Sequence, residues 1–527
     1  MNRRITRKQF LKLGLAGGAA LTLPFGAPAC SSSGEGSTGT LLPSRAKLPE
    51  LFTVPLPVPP VLDPVRSDAG ADHYEIAQKA GRTEILPGLK TEVWGYDGIF
   101  PGPTVEARSG REVVVRQWNE LPVPVTTHLH GGRTPPESDG YPTDLVLPLG
   151  RAQDDHPSHG RGFHPEAHSH GFKDYRYPNG QRAATLWYHD HRMDFTGPQV
   201  WRGLAGLYIV RDAEEDALSL PGDEKEVPLV ICDRSFDEDG SFLYPSLDSS
   251  LLGEPGVEDG YMDGVLGDTI LVNGAPWPYL EVSNTKYRFR VLNASNARRY
   301  ELALDPAPGK GPSFVQIGGD GGLLGAPLSH RTIPVSQAER FDVIVDFSDY
   351  PIGTDVTLKN RLGDGGTSNV MRFRIVREER EESAIPRRLA DMEEFDALGE
   401  SDAVREREFR FTRVGDGGRT MWGINGEPFD PGRMDARPEF GDAEIWNLEV
   451  APASHPVHLH LVHFKVLSRN GRRPPPKDAG WKDTVDLASG EEARVIARFD
   501  GFRGRYVFHC HNLEHEDMMM MANFEIV

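Results

Sequence analysis

Apolar residues along this chain come in short runs bounded by turn residues, and in one run they recur at every second position, the spacing of a strand with one buried face. "YRFRVLN" (287–293) alternates apolar and polar residues from Tyr287 to Val291. "EVVVRQW", "ERFDVIVDFS", "AEIWNLEV" and "ARVIARF" are short apolar runs rich in β-branched and aromatic residues. Turn signals such as "PGP", "SG" and "NG" bound them, so they read as strands. Long helical periodicity is absent, and the fold class predicted is all-β.

The strands fall into a repeated layout. "YDGIFPGPTVEARSGREVVVRQW", "VNGAPWPYLEVSNTKYRFRVLN" and the stretch from "INGEPFDP" to "AEIWNLEV" each run Asp-Gly or Asn-Gly, Pro, strand, turn, strand. Three copies of one β-sandwich are predicted, over 48–212, 224–378 and 409–527. The first opens on a Pro-rich stretch, "LPELFTVPLPVPPVLDPV", expected to run extended over the surface. The charged stretch 379–408 reads as a linker with one short helix.

Length and charge narrow the picture. At 527 residues the chain exceeds what one core supports. Its net charge of −20 repels nucleic acid and anionic membranes. Residues 1–29 read as an export signal: a basic start, a Gly-rich apolar run too short to span a bilayer, and "APA" at the end. "TRKQFLK" resembles a twin-arginine motif with Lys8 in place of the second Arg. Cys30 and the Ser/Gly-rich 30–47 follow, read as a flexible tether. Two readings of Cys30 stay open, a lipid anchor and plain cleavage nearby. Cys232 sits in an apolar strand and reads as a core thiol. The third cysteine, Cys510, lies in "HCHNLEH". A monomer is expected, exported to the periplasm or beyond.

Ten of the 18 histidines occupy four short motifs: "THLHGG", "LWYHDH", "HPVHLH" and "HCHNLEH". On a strand, His-x-His points two imidazoles to one face. His128/His130, His189/His191, His458/His460 and His509/His511 are four such pairs. Eight imidazoles gathered at one place are costly if charged and pointless if merely buried, but neutral imidazole ligates copper, zinc or iron. Cys510, between two of them, faces the opposite way and is free to hold a different metal. His515 and Met520 follow it by five and ten residues and His455 lies upstream; two His, one Cys and a long axial Met are the ligand set of a blue copper electron-transfer centre. Five more histidines, at 156, 159, 164, 168 and 170, read as a solvated Gly/Pro-rich loop. Met518, Met519 and Met521 read as packing beside the site.

All four motifs, in order, resemble those of the multicopper oxidases, and "HLHGGRTPPESDGYP", "ATLWYHDHRMD", "GWKDTV" and "HCHNLEHED" resemble the bacterial spore-coat laccase and bilirubin oxidase group. The resemblance implies three cupredoxin-like Greek-key domains and four copper ions. It implies type 1 copper on His455, Cys510, His515 and Met520, and type 2 copper on His128 and His458. The type 3 pair would rest on His130, His189 and His511 and on His191, His460 and His509. It implies proton delivery by Asp139 and Glu516, although Asp139 in "SDG" is also an ordinary turn residue. The implied reaction is one-electron oxidation of phenols, aromatic amines or bilirubin-like donors at the His455 or His515 edge, coupled through Cys510 to four-electron reduction of O2. A cuprous oxidase of copper tolerance and a copper-binding protein without turnover are the alternatives.

Overall fold

The computed structural model describes residues 37–150, 168–416 and 419–527. Three pairs of sheets follow one another along the chain. In the first, Phe172–Tyr177, Glu112–Asn119, Ala71–Thr83 and Arg66–Ser67 lie side by side, with Thr91–Tyr96 also on Ala71–Thr83. Its companion orders Gly102–Arg108, Ala205–Arg211, Ala184–Asp190 and Thr127–His130. Both sheets feed one core that includes Tyr74, Ile76, Val113, Val115, Leu129, Leu186 and Tyr208. Val113 and Val115 enter it while Val114 does not, as a two-residue period requires.

The second pair is an eight-stranded sheet centred on Glu226–Phe236, Lys286–Asn293 and Arg340–Asp346, and a five-stranded sheet running from Tyr279–Ser283 to Thr332–Val335. The third has a five-stranded sheet from Arg419–Ile424 to Phe464–Arg469. Its partner orders Thr484–Leu487, His455–Leu459, Gly504–Cys510 and Met521–Ile526. Each pair contains one parallel pairing in its larger sheet: Ala71–Thr83 with Glu112–Asn119, Glu226–Phe236 with Lys286–Asn293, and Ala403–Asp416 with Ala443–Val450.

Residues 37–47 depart from the free tether that their composition suggests. Thr40–Leu42 pairs with Val265–Gly267, and the Ser44 backbone N–H and hydroxyl both donate to Asp268. The Pro-rich stretch bridges two pairs of sheets, but not wholly on the surface. Phe52 and Leu56 are buried in the second core, because apolar side chains beside an apolar face are drawn from water. The charged stretch after the second pair holds the helix Glu393–Ala397 and buries Leu389, Ala390 and Leu398. Among the described residues no helix is long and apolar enough to cross a membrane. The export signal, Cys30, His156, His159 and His164 lie outside the described residues, while His168 and His170 form a short strand beside Leu145–Leu147. Cys232 is a buried free thiol.

Candidate metal centre

The alternation of strand side chains sets up the centre. Thr127–His130 lies antiparallel to Ala184–Asp190, with His128 opposite His189. Leu129, Leu186 and Tyr188 enter the first core, so His128, His130 and His189 leave by the opposite face. The third pair repeats the arrangement. Val457, Leu459, Phe508 and Cys510 enter its core, and His458 and His509, opposite each other in register, face outward. His191, His460 and His511 each follow the last residue of their strand. The two histidine faces pack on one another, and all eight side chains are essentially inaccessible to solvent.

Three triads result: His128, His458 and His460; His130, His189 and His511; His191, His460 and His509. Nε2 of His128 stands 3.4 Å from Nε2 of His458, and Nε2 of His509 stands 3.2 Å from Nε2 of both His191 and His460. Two nitrogens about 2.0 Å from a shared ion, at an angle of about 110°, are about 3.3 Å apart, so the spacing suits a transition-metal ion.

Hydrogen bonds aim the rings. Nδ1 of His128, His189, His458 and His509 points to the carbonyl of Asp139 (2.6 Å), Asp190 (2.8 Å), Asp483 (2.9 Å) and Cys510 (3.1 Å), turning each Nε2 inward. His130 is reversed. Its Nε2 lies 3.0 Å from Asp483 Oδ1 and 3.2 Å from Thr484 Oγ1. Its Nδ1, Nε2 of His189 and both nitrogens of His511 have no hydrogen-bond partner among the described residues. Buried polar atoms left over in this way are costly unless something else binds them.

Burial pushes His128, His130, His458, His460 and His511 well below the ordinary imidazole range, His189 to about 3 and His191 to about 4. These rings are therefore neutral, the form that ligates. Two acids border them with opposite shifts. Burial pushes Asp139 well up; its Oδ2 lies 2.7 Å from Nδ1 of His460. Burial also works against the charge on Glu516, but His191 and His509 outweigh it and lower the carboxyl to about 2. Its Oε2 is 3.1 Å from Nδ1 of His509.

On the far side of the same strand, Cys510 Sγ lies 3.3 Å from Nδ1 of His455 and 3.6 Å from Nδ1 of His515, and the two nitrogens are 3.0 Å apart. The turn Leu513–Asp517 carries His515 back to the sulfur. Met520 is buried beside it, its carbonyl accepting from the Cys510 N–H at 3.1 Å and its N–H donating to His515 at 3.0 Å. Burial pushes the Cys510 thiol well up, so the thiolate that binds metal is unfavourable without a cation. Burial lowers His455 to about 3 and pushes His515 well below the ordinary imidazole range. One expectation fails here. Neither His455 nor His515 reaches the protein edge; both are 0 % exposed, and Trp422 covers them.

Sequence reasoning assigned no role to Asp483, Thr484, Arg340 or Trp422. Asp483 ties the centre to the second pair of sheets. Its Oδ1 accepts from Arg340 at 2.8 Å, its Oδ2 accepts a second Arg340 nitrogen, and both residues are 1 % exposed. The "KDT" of "GWKDTV" was its local signal; Arg340 had none.

Family models described as multicopper oxidase match residues 404–527 and residues 78–152 with 163–215. A laccase of Bacillus subtilis is 38% identical, over 90% of this chain and 98% of its own. A bilirubin oxidase of Albifimbria verrucaria is 36% identical, over 96% of this chain and 88% of its own. The crystal structure of a laccase from Pediococcus acidilactici superposes with a TM-score of 0.77 at 32% identity, covering 92% of this chain and 96% of that one.

Proposed function

The chain belongs to the multicopper oxidase family, and from that premise we propose that its two back-to-back ligand sets hold four copper ions. The protein is a laccase-like, copper-dependent oxidoreductase that couples oxidation of a reducing substrate to reduction of O2. Type 1 copper belongs on His455, Cys510, His515 and Met520. Type 2 copper belongs on His128 and His458. The type 3 pair belongs on His130, His189 and His511 and on His191, His460 and His509. The three pairs of sheets serve as three cupredoxin-like domains.

The observation that carries this reading is the alternation in His509-Cys510-His511. One sulfur faces the third core with His455 and His515 beside it, and its two neighbours face the six other outward histidines. Bound copper supplies one-electron acceptance at the sulfur site and O2 reduction at the histidine site. The protein does the rest. Backbone carbonyls fix which ring nitrogen of His128, His189, His458 and His509 faces inward, and burial keeps His128, His130, His189, His191, His458, His460 and His511 neutral. The peptide links on either side of Cys510 join the two sites by the shortest covalent route. Asp139, held 2.7 Å from His460, and Glu516, 3.1 Å from His509, are placed to pass protons to the histidine site. The donors that fit are phenols, aromatic amines and bilirubin-like tetrapyrroles. The basic leader supports export, by a twin-arginine-like route.

The test is oxygen uptake by copper-loaded protein with a panel of phenols, bilirubin and Cu(I). About four one-electron donors should be consumed per O2, with no net peroxide. Cys510→Ser should remove both the thiolate-to-copper band and phenol oxidation while leaving the fold. Turnover with Cu(I) alone would favour the cuprous oxidase, and copper uptake with no oxygen consumption would favour a storage protein.

A further inference from the structure

The sulfur site lies beneath a single indole. Trp422, 1 % exposed, tilts across His515 with ring centroids 4.0 Å apart and meets His455 edge-on at 5.2 Å. Three contacts fix it. Its Nε1–H donates to the Met262 carbonyl at 3.2 Å, its backbone N–H donates to the Met518 carbonyl at 3.0 Å, and the Arg413 guanidinium lies over the ring at 4.9 Å. Arg413 is ion-paired with Asp263, and these two side chains are 43 % and 47 % exposed. Outward from His515 the order is thus imidazole, indole, an exposed ion pair, and water.

Resting on the multicopper oxidase reading, we propose that Trp422 is the bridge by which electrons reach His515, and that the surface over it at Arg413 and Asp263 is where a planar aromatic donor docks. A donor cannot touch an imidazole that has no exposed surface. The indole is the aromatic group in van der Waals contact with both histidines of the sulfur site, and it is pinned rather than free to swing aside. Above it, a half-exposed guanidinium offers a flat, weakly hydrated face on which an aromatic ring stacks. Asp263 beside it accepts a hydrogen bond from a phenolic or anilinic donor group. In the step itself a phenol loses one electron to the oxidised type 1 copper and one proton to bulk water, leaving a phenoxyl radical. The indole ends the step unchanged.

The test uses copper-loaded full-length protein and 2,6-dimethoxyphenol under anaerobic conditions, following bleaching of the thiolate-to-copper band in single turnover. Copper content, the position of the band and the type 1 reduction potential are recorded for every variant. Trp422→Leu should keep all three and bleach more slowly by about tenfold or more, as when a positioned contact is lost. Trp422→Phe, which keeps an aromatic ring, should recover part of the rate. Arg413→Gln should leave the band intact and lower the second-order rate constant alone. Trp422→Leu bleaching at or above the wild-type rate overturns the proposal. If that variant loses its band, Arg413→Gln decides, and a wild-type rate there overturns it. A copper-replete wild-type protein without the band fails the family-level site reading instead, which separates the two failures.

Discussion

Asp483 is the residue whose replacement should best separate holding the fold from aiming the ligands. Its Oδ1 takes Nε2 of His130 at 3.0 Å and Arg340 at 2.8 Å, while its carbonyl takes Nδ1 of His458 at 2.9 Å. Asp483→Asn keeps the carbonyl and one oxygen for His130 but removes the charge facing Arg340 and turns an amide NH2 towards it. Breaking a buried ion pair from one side costs about 3–5 kcal/mol. Asp320 Oδ1 remains 3.6 Å from Arg340, so the lower end of that range applies. Loss of a ligand's orienting partner weakens metal binding by about 10–100-fold.

The double variant Asp483→Leu/Arg340→Met pulls the two effects apart. It leaves no buried unpaired charge, so most of the stability should return. His130 has lost the group that fixes its tautomer, so copper affinity should not return. Thermal unfolding gives the first quantity. Chelator titration with metal counting, together with paramagnetic resonance of the type 2 signal, gives the second. The type 1 band should persist in both variants, since Asp483 touches none of its ligands. Recovery of copper and stability together in the double variant would refute the orienting role.

Asp139→Asn and Glu516→Gln should each slow reoxidation by O2 by about 100-fold or more, yet leave anaerobic bleaching by phenol unchanged; stopped-flow measurement of the two half-reactions separates them. Glu226 works away from the centre. Burial opposes its charge, but Arg290, Arg288 and Arg211 outweigh burial and lower the carboxyl from 4.5 to about 2. Its stabilisation, up to about 3 kcal/mol, is therefore complete above pH 4.5 and fades as pH falls towards 2; acid unfolding of Glu226→Gln should flatten in that window, and an unchanged profile refutes the assignment. Gly140 has φ +78°, and a Cβ there would sit 2.7 Å from the His128 Cα, with the Thr127 carbonyl nearer still. Gly140→Ala should cost about 1–3 kcal/mol and lower copper content at the histidine site, as judged by calorimetry and metal analysis.

The histidine site was legible because its signal is local. A two-residue period tells which way His128 and His130 point once Leu129 is known to be core, and the same logic sets Cys510 apart from His509 and His511. What was not legible depends on residues far apart in sequence. Arg340 looks like any arginine in a strand until the fold buries it against Asp483, 143 residues on. Trp422 has no motif, so exposed imidazole edges were the natural expectation for the sulfur site. The parallel pairings, such as that of Glu226–Phe236 with Lys286–Asn293, also left no periodic trace, since neighbour choice in a sheet is set by connections rather than by side-chain alternation. The Ser/Gly composition of 30–47 signalled freedom, but within the described part, 37–47, the Ser44 N–H and hydroxyl donate to Asp268.

Every histidine triad at the interface draws on both the first and the third pair of sheets, so the histidine site cannot be assembled until the third pair has been made. Synthesis must pass His458, 330 residues on, before His128 has a partner with which to share a metal. Loss of the stretch from His509 onward would leave the imidazoles of the first pair without their partners and the sulfur site without its cysteine. Colour from the sulfur site thus reports only that the third pair of sheets has formed, whereas metal held by the histidine triads reports that the first and third pairs have met.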